Sequence, residues 1–262
     1  MRIIVCIKQV PASLDVRVDP KTHNLIREGV ESVINPFDEN AIEAALELKA
    51  KHGASVSLLS MGPPQVREAL RKGLAMGADD AYLLCDRALA GADTLATSYT
   101  LAQAIRKMGS FDLILCGRHA VDADTGQVGP ELAERLNLPQ ITYVSKIEIT
   151  GNKVRAERLL EESREVVEAP LPALLTVTKE LNTPRYPTAL GIMKAAKKPL
   201  TVWTAADIGA TPEKIGLTGS PTRVTDVFEP PGHRRSEVEM LSGKPEEIAA
   251  ALAERLQAAK IL

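Results

Sequence analysis

The chain opens on Arg2–Lys8, where Ile3 to Ile7 form an unbroken apolar run rich in β-branched residues, which predicts a short buried strand. A helical period follows from Phe37 to His52, with Ala41, Ala44, Ala45 and Leu48 on one face. Asn35-Pro36 marks the turn into that helix, and Asp38 places negative charge near its N-terminus. Strand Ser55–Ser60 leads through Gly62-Pro63-Pro64 to a helix over Gln65–Met76, which Gly77 is placed to end in a left-handed conformation. Strand Asp80–Cys85, helix Asp93–Lys107, strand Phe111–Cys116, a glycine-containing loop and a short helix over Pro130–Leu136 come next. Strand and helix alternating in this way predict an α/β fold, a parallel sheet covered by helices on both faces.

Beyond Pro139 the period changes. Ile141–Ile149, Val154–Leu160 and Arg164–Glu168 read as antiparallel strands, with Thr150-Gly151-Asn152-Lys153 as a hairpin turn, and Leu174–Val177 reads as a further strand of the main sheet. From Asn182 the chain reads as irregular and proline-rich. Asn182–Pro199 carries Arg185, Lys194, Lys197 and Lys198 with no acidic residue. Only Pro245–Lys260 regains helical spacing, with Ile248, Leu252, Leu256 and Ala259 on one face. Periodicity leaves two roles open for this arm: it caps its own domain, or it lies on another subunit.

Composition narrows the chemistry. The 32 basic and 34 acidic residues among 262 nearly cancel, which argues against a nucleic-acid or membrane-surface binder. No apolar run reaches membrane-spanning length. Cys6, Cys85 and Cys116 are far apart and odd in number, the usage of a reducing cytoplasm; no disulfide framework or metal-ligand spacing is expected.

The loop between Cys116 and Pro130 holds the candidate chemistry. Gly117, Asp122, Asp124, Thr125, Gly126, Gln127 and Gly129 follow a buried strand, where open parallel sheets bind their ligands. Its glycines allow close backbone approach, and Thr125 with neighbouring N–H groups suits a phosphate at the next helix N-terminus. Pro130 fits that helix's first turn. The loop is neither a Walker loop nor G-x-G-x-x-G. Asp122 and Asp124 read equally as turn and cap residues, and His119 alone as a surface or capping histidine. Hydrolytic acid–base chemistry lacks a partnered histidine or a second acidic site.

Several motifs in order resemble the β subunit of electron-transferring flavoproteins, and the resemblance runs essentially end to end. They are Lys8-Gln9-Val10-Pro11, Asn35-Pro36-Phe37, Ala75-Met76-Gly77-Ala78-Asp79, the loop above, Asn182-x-Pro184-Arg185-Tyr186 and Ile192-Met193-Lys194-Ala195. Ala156-x-Arg158-x-x-Glu161-Glu162, Glu165-x-Val167 and Pro172-x-Leu174-Leu175-Thr176 add to them, with Ser163 as a single departure from the family pattern. The resemblance implies a Rossmann-like fold of the adenine-nucleotide alpha-hydrolase kind, with a small antiparallel hairpin region. It implies a nucleotide- or FAD-binding domain over residues 1–200 and, over 201–262, an extended C-terminal arm with an amphipathic helix packing on the alpha subunit. Matched by motif position, the nucleotide contacts are Cys6, Asn35, Pro36, Phe37, Asp38, Met61 and the loop residues Gly117, Arg118, His119, Ala120, Val121, Asp122, Ala123, Asp124, Thr125, Gly126, Gln127 and Val128.

Relay members of the family hold a structural AMP at this site, whereas electron-bifurcating members resemble D-G-D-T-A-Q-V-G-P and bind a second FAD. Here Asp122–Pro130 reads D-A-D-T-G-Q-V-G-P, two small-for-small departures from the bifurcating form. Gly91–Ser98 also looks like the bifurcating group, which adds Asp93, Thr94 and Thr97 as cofactor residues near the flavin and the NAD(H) that supplies electrons; helix capping is the plainer role for Asp93 and Thr94. The implied partners are an alpha subunit, ferredoxin or flavodoxin, and an acyl-CoA dehydrogenase or quinone-linked oxidoreductase. Residues 182–198 correspond to the family's recognition loop, with Ala189 where relay members commonly carry leucine. A free-standing nucleotide hydrolase is the reading from a different class.

Overall fold

The computed structural model describes residues 1–12, 32–225 and 240–261. The expected alternation is present: β1 (Arg2–Cys6), a short antiparallel pair of β2 (Gln9–Pro11) and β3 (Ser32–Ile34), α1 (Pro36–His52), β4 (Ser55–Met61), α2 (Val66–Met76), β5 (Asp80–Leu84), α3 (Thr94–Met108), β6 (Leu113–Gly117) and α4 (Val128–Leu136). Then follow β7 (Gln140–Thr150), β8 (Lys153–Leu159), β9 (Arg164–Pro170), β10 (Ala173–Val177), α5 (Ala189–Ala195), β11 (Leu200–Trp203) and α6 (Pro245–Ala258).

One nine-stranded sheet carries the fold, in the order β11-β5-β4-β1-β6-β10-β7-β8-β9. The first seven strands in that order run parallel, and β7, β8 and β9 pair antiparallel. The hairpin region is thus an extension of the main sheet rather than a separate one, with β10 inserted between β6 and β7. Ile3, Val5, Val56 and Leu58 point into an apolar layer with α1 and α2; Ile4, Leu59, Ile114 and Cys116 point into a second layer with α3 and α4. Burial on both faces explains why the central strands lack polar alternation.

The chain after β1 moves outward to β4 and β5, then returns across β1 to place β6 on its other side. That reversal opens a crevice at the carboxyl ends of β1 and β6, where Cys6 and Cys116 are register partners.

Residues 182–203 depart from the irregular chain expected. Thr188 caps α5 by accepting from the Gly191 N–H, and β11 adds a parallel strand at the sheet edge beside β5. Both elements are short and flanked by prolines, so neither shows a usable period. In contrast, α6 buries none of its residues against the described chain. Part of the expected arm, residues 226–239, lies outside the described residues.

Candidate functional site

The site is assembled at the crevice. Cys6 and Cys116 are both buried, and Met61 ends the neighbouring β4. Contact with Cys6 and burial together push the Cys116 thiol well above the ordinary range, so Cys116 serves as protonated, unreactive packing.

Asn35 precedes α1 but makes no side-chain cap. Its amide is spent on the loop after β6 instead: Nδ2 donates to the His119 carbonyl at 2.8 Å, and Oδ1 accepts from the Val121 N–H at 3.1 Å. Pro36 occupies the first helical turn, where its missing N–H costs nothing. Asp38 accepts from the Lys8 N–H at 2.7 Å and the Gly117 N–H at 3.0 Å, so one carboxylate joins the end of β6 to the chain leaving β1. Burial pushes its pKa up to about 7, although those bonds, the Asn35 amide and the Lys8 charge all favour the ionised form. Lys8 Nζ reaches both oxygens of Asp122, at 2.7 and 2.8 Å, and closes the loop from above.

Arg118 stands between two rings, 5.7 Å from the centre of Phe37 and 5.2 Å from that of Tyr143. Its Nε lies 3.1 Å from His119 Nδ1, and the same nitrogen lies 3.1 Å from Asp124 Oδ1. One ring nitrogen cannot serve a donor and an acceptor together, so the His119 proton selects between them. Burial holds His119 below its usual pKa, with Arg118 adding to the effect and Asp124 opposing it. The His119 ring also meets Phe37 edge-on, with centroids 4.4 Å apart. Tyr143 holds a backbone φ of +59°, a strained position for an aromatic residue, where its N–H reaches the Thr176 hydroxyl.

The rest of the loop is open. Ala123 and Asp124 turn back onto the Ala120 carbonyl, with Asp124 at φ +49°. Thr125, Gly126, Gln127 and Val128 then present successive backbone N–H groups that find no acceptor among the described residues. Gly126, at φ +62°, would bring an added Cβ no closer than 3.6 Å to a neighbour; it is there for its conformation. Gly129 is there for space, because its Cβ would meet the Thr176 methyl at 2.5 Å. A run of free N–H groups leading into the N-terminus of α4 fits a nucleotide phosphate.

Asp93 and Thr94 are engaged by their own chain. One Asp93 oxygen caps α3 through the Ala96 N–H, and the other accepts from the N–H and hydroxyl of Thr222. Thr94 lies within hydrogen-bonding distance of Gln127 and Glu131, which joins the starts of α3 and α4. Thr97 follows one turn later, half-buried.

Sequence reasoning missed Lys8, Tyr143, Asn40 and Glu43. Asn40 and Asn182 exchange amide bonds, Nδ2 to carbonyl, at 2.9 and 3.1 Å. Glu43 holds Arg185 through two side-chain bonds of 2.7 and 2.8 Å, and accepts the Arg185 N–H at 3.0 Å. Burial alone would raise the Glu43 carboxyl; the Arg185 bonds outweigh it and hold the group below its ordinary pKa. The available signal was a polar residue at an inward position of a helix, next to Ala41 and Ala44. Beyond this root, Tyr186, Leu190, Ile192 and Met193 are 91%, 55%, 58% and 64% exposed, an apolar patch bordered by Lys194 and Lys197.

Comparison with known proteins shows the family of the chain. The electron transfer flavoprotein domain profile matches residues 22–208, and the chain belongs to the electron transfer flavoprotein family. It is 50% identical over 264 residues to the caffeyl-CoA reductase–Etf complex subunit CarD of Acetobacterium woodii, with all of both chains covered. It is 52% identical over 238 residues to the electron transfer flavoprotein subunit beta of Megasphaera elsdenii, covering 88% of each chain. Protein FixA of Azorhizobium caulinodans is 45% identical over 238 residues, covering 88% of this chain and 85% of that one. Among the described residues, no helix is long and apolar enough to cross a membrane.

Proposed function

We propose that this chain is the beta subunit of a two-flavin heterodimer. In this reading it holds an FAD that takes hydride from NADH and divides the electron pair between a ferredoxin or flavodoxin and the FAD of an alpha subunit. The alpha-subunit FAD in turn supplies an acyl-CoA dehydrogenase or a quinone-linked oxidoreductase. The observation that carries the reading is the loop Asp122–Pro130, whose sequence follows the bifurcating pattern and whose N–H groups at 125–128 find no acceptor among the described residues.

FAD, when bound, supplies hydride acceptance and single-electron release; the chain supplies binding and electrostatics. The free N–H groups and the Thr125 hydroxyl bind phosphate, and Cys6, Cys116 and Met61 form an apolar wall at the strand ends. Lys8, Asn35 and Asp38 fix the loop, and Arg118 sets positive charge beside it. Residues 1–200 form the nucleotide-holding unit, 182–198 dock partners, and 201–262 form an arm on the alpha subunit.

The engagement of Asp93 and Thr94 within the chain favours a second reading, a relay subunit with structural AMP, because it leaves both side chains committed at the start of α3. Denatured extracts of the purified heterodimer separate the two. Two FAD per heterodimer, with flavin bleaching by NADH, supports bifurcation; one FAD plus one AMP, with no bleaching, overturns it.

A further inference from the structure

Among the described residues, the buried amide and carboxylate side chains are Asn35, Asp38, Asn40 and Glu43. All four lie at the N-cap and on the first two turns of one helix, α1, and each is spent on a loop belonging to another part of the chain. Asn35 and Asp38 hold residues 117–121, whereas Asn40 and Glu43 hold Asn182 and Arg185. From Asn35 to Glu43 is eight residues, about 12 Å along a helix axis.

Burying such groups is costly unless each is fully bonded, so these bonds form or fail as sets. Between them α1 packs Ala41, Ile42, Ala44 and Ala45 into the core with no more than 3% exposure, which makes the helix a stiff connection. Two different sides of α1 therefore hold two loops, residues 117–121 and residues 182–185.

We propose that α1 couples the nucleotide loop to the partner-docking segment, with Asn40 and Glu43 as positioning residues for residues 182–198. This rests on the reading above that residues 117–128 bind a nucleotide and 182–198 dock partners. A nucleotide that orders the 117–128 loop tightens the grip of Asn35 and Asp38, sets the α1 N-terminus, and steadies the root of the apolar patch carried by Tyr186 and Met193. The coupling runs both ways: loosening the docking root weakens nucleotide binding at a site Glu43 never contacts.

The test uses the heterodimer, stripped of nucleotide at this site and titrated calorimetrically with AMP and with FAD, for the parent protein, Glu43→Gln and Arg185→Lys. Arg185→Lys loses the two-pronged contact from the exposed end, so it serves where the buried variant fails to fold. Both substitutions are expected to weaken nucleotide binding on the order of fivefold. In parallel, hydrogen exchange follows 117–124 and the amides of 182–186, where the Arg185 N–H reports its bond to Glu43 directly. Nucleotide is expected to slow exchange in both segments.

Nucleotide affinity within twofold of the parent in a folded variant, with protection confined to 117–124, overturns the coupling and leaves the site reading intact. No calorimetric binding, or no protection at 117–124, overturns the site reading and the coupling together.

Discussion

The N–H of Gly117 donates to Asp38 at 3.0 Å, and this bond fastens the last residue of β6 to the first turn of α1. A Cβ at position 117 would meet Asp38 Oδ1 at 2.3 Å and the Phe37 Cβ at 2.7 Å, so glycine is required there for space. Gly117→Ala is expected to cost about 1–3 kcal/mol, because overpacking at this contact forces backbone shifts. Denaturant melts of the complex measure the loss, and the variant should also purify with less bound nucleotide.

Asp38 gives the site a pH dependence of definite sign. Its native pKa of about 7 stands above the roughly 3.9 of an unfolded aspartate, so between those values the folded chain holds a proton that the unfolded chain has released. The associated stability is fully present below about pH 4 and is lost as pH rises through 7, with a slope of at most about 1.4 kcal/mol per pH unit. Asp38→Asn removes that slope, at a constant cost because its amide nitrogen cannot accept one of the two N–H groups that the carboxylate holds. The stability difference between parent and variant should change steadily from pH 4.5 to about 7 and level off above it; a constant difference throughout would show that Asp38 titrates normally.

Asn35 makes the complementary tie, and its two bonds have different chemistry. Asn35→Asp keeps the acceptor for the Val121 N–H but turns a carboxylate oxygen towards the His119 carbonyl and adds charge beside Asp38. Asn35→Ala loses both bonds. Asn35→Asp leaves one half-buried backbone group unpaired and Asn35→Ala leaves two, at about 1–3 kcal/mol each at most. Exchange at Val121 should rise in Asn35→Ala and less in Asn35→Asp, which keeps the acceptor; repulsion from the added charge alone would give the reverse order.

The parallel sheet was legible because buried central strands announce themselves as apolar runs such as Ile3–Ile7, and because Gly77 and Asn35-Pro36 punctuate the helices between them. The position of β10 between β6 and β7 was not, since strand order depends on contacts far apart in sequence. The site loop was legible as glycines after a strand end. Its fastenings were not: Asn35 resembles an ordinary helix cap, and Glu43 acquires meaning only once Arg185, 142 residues later, lies against it. Asp93 shows the same limit from the other side, since its capping role was visible and its tie to Thr222 was not.

The C-terminal helix provides the last test. Pro245–Ala258 aligns Ile248, Leu252 and Leu256 on one face, yet buries none of its residues against the described chain, and Leu252 is 48% exposed. An amphipathic helix of 14 residues is marginal in water without a surface to pack on. If that surface belongs to the alpha subunit, truncation before Met240 should leave the melting of this chain alone within about 0.5 kcal/mol, as for a change at the protein surface. The same truncation should weaken assembly, read by sedimentation of mixtures with the alpha subunit at falling concentration. A loss of more than about 1 kcal/mol in the isolated chain with assembly unchanged would instead make the helix a cap on its own domain, because stability would then be drawn from contacts within the chain.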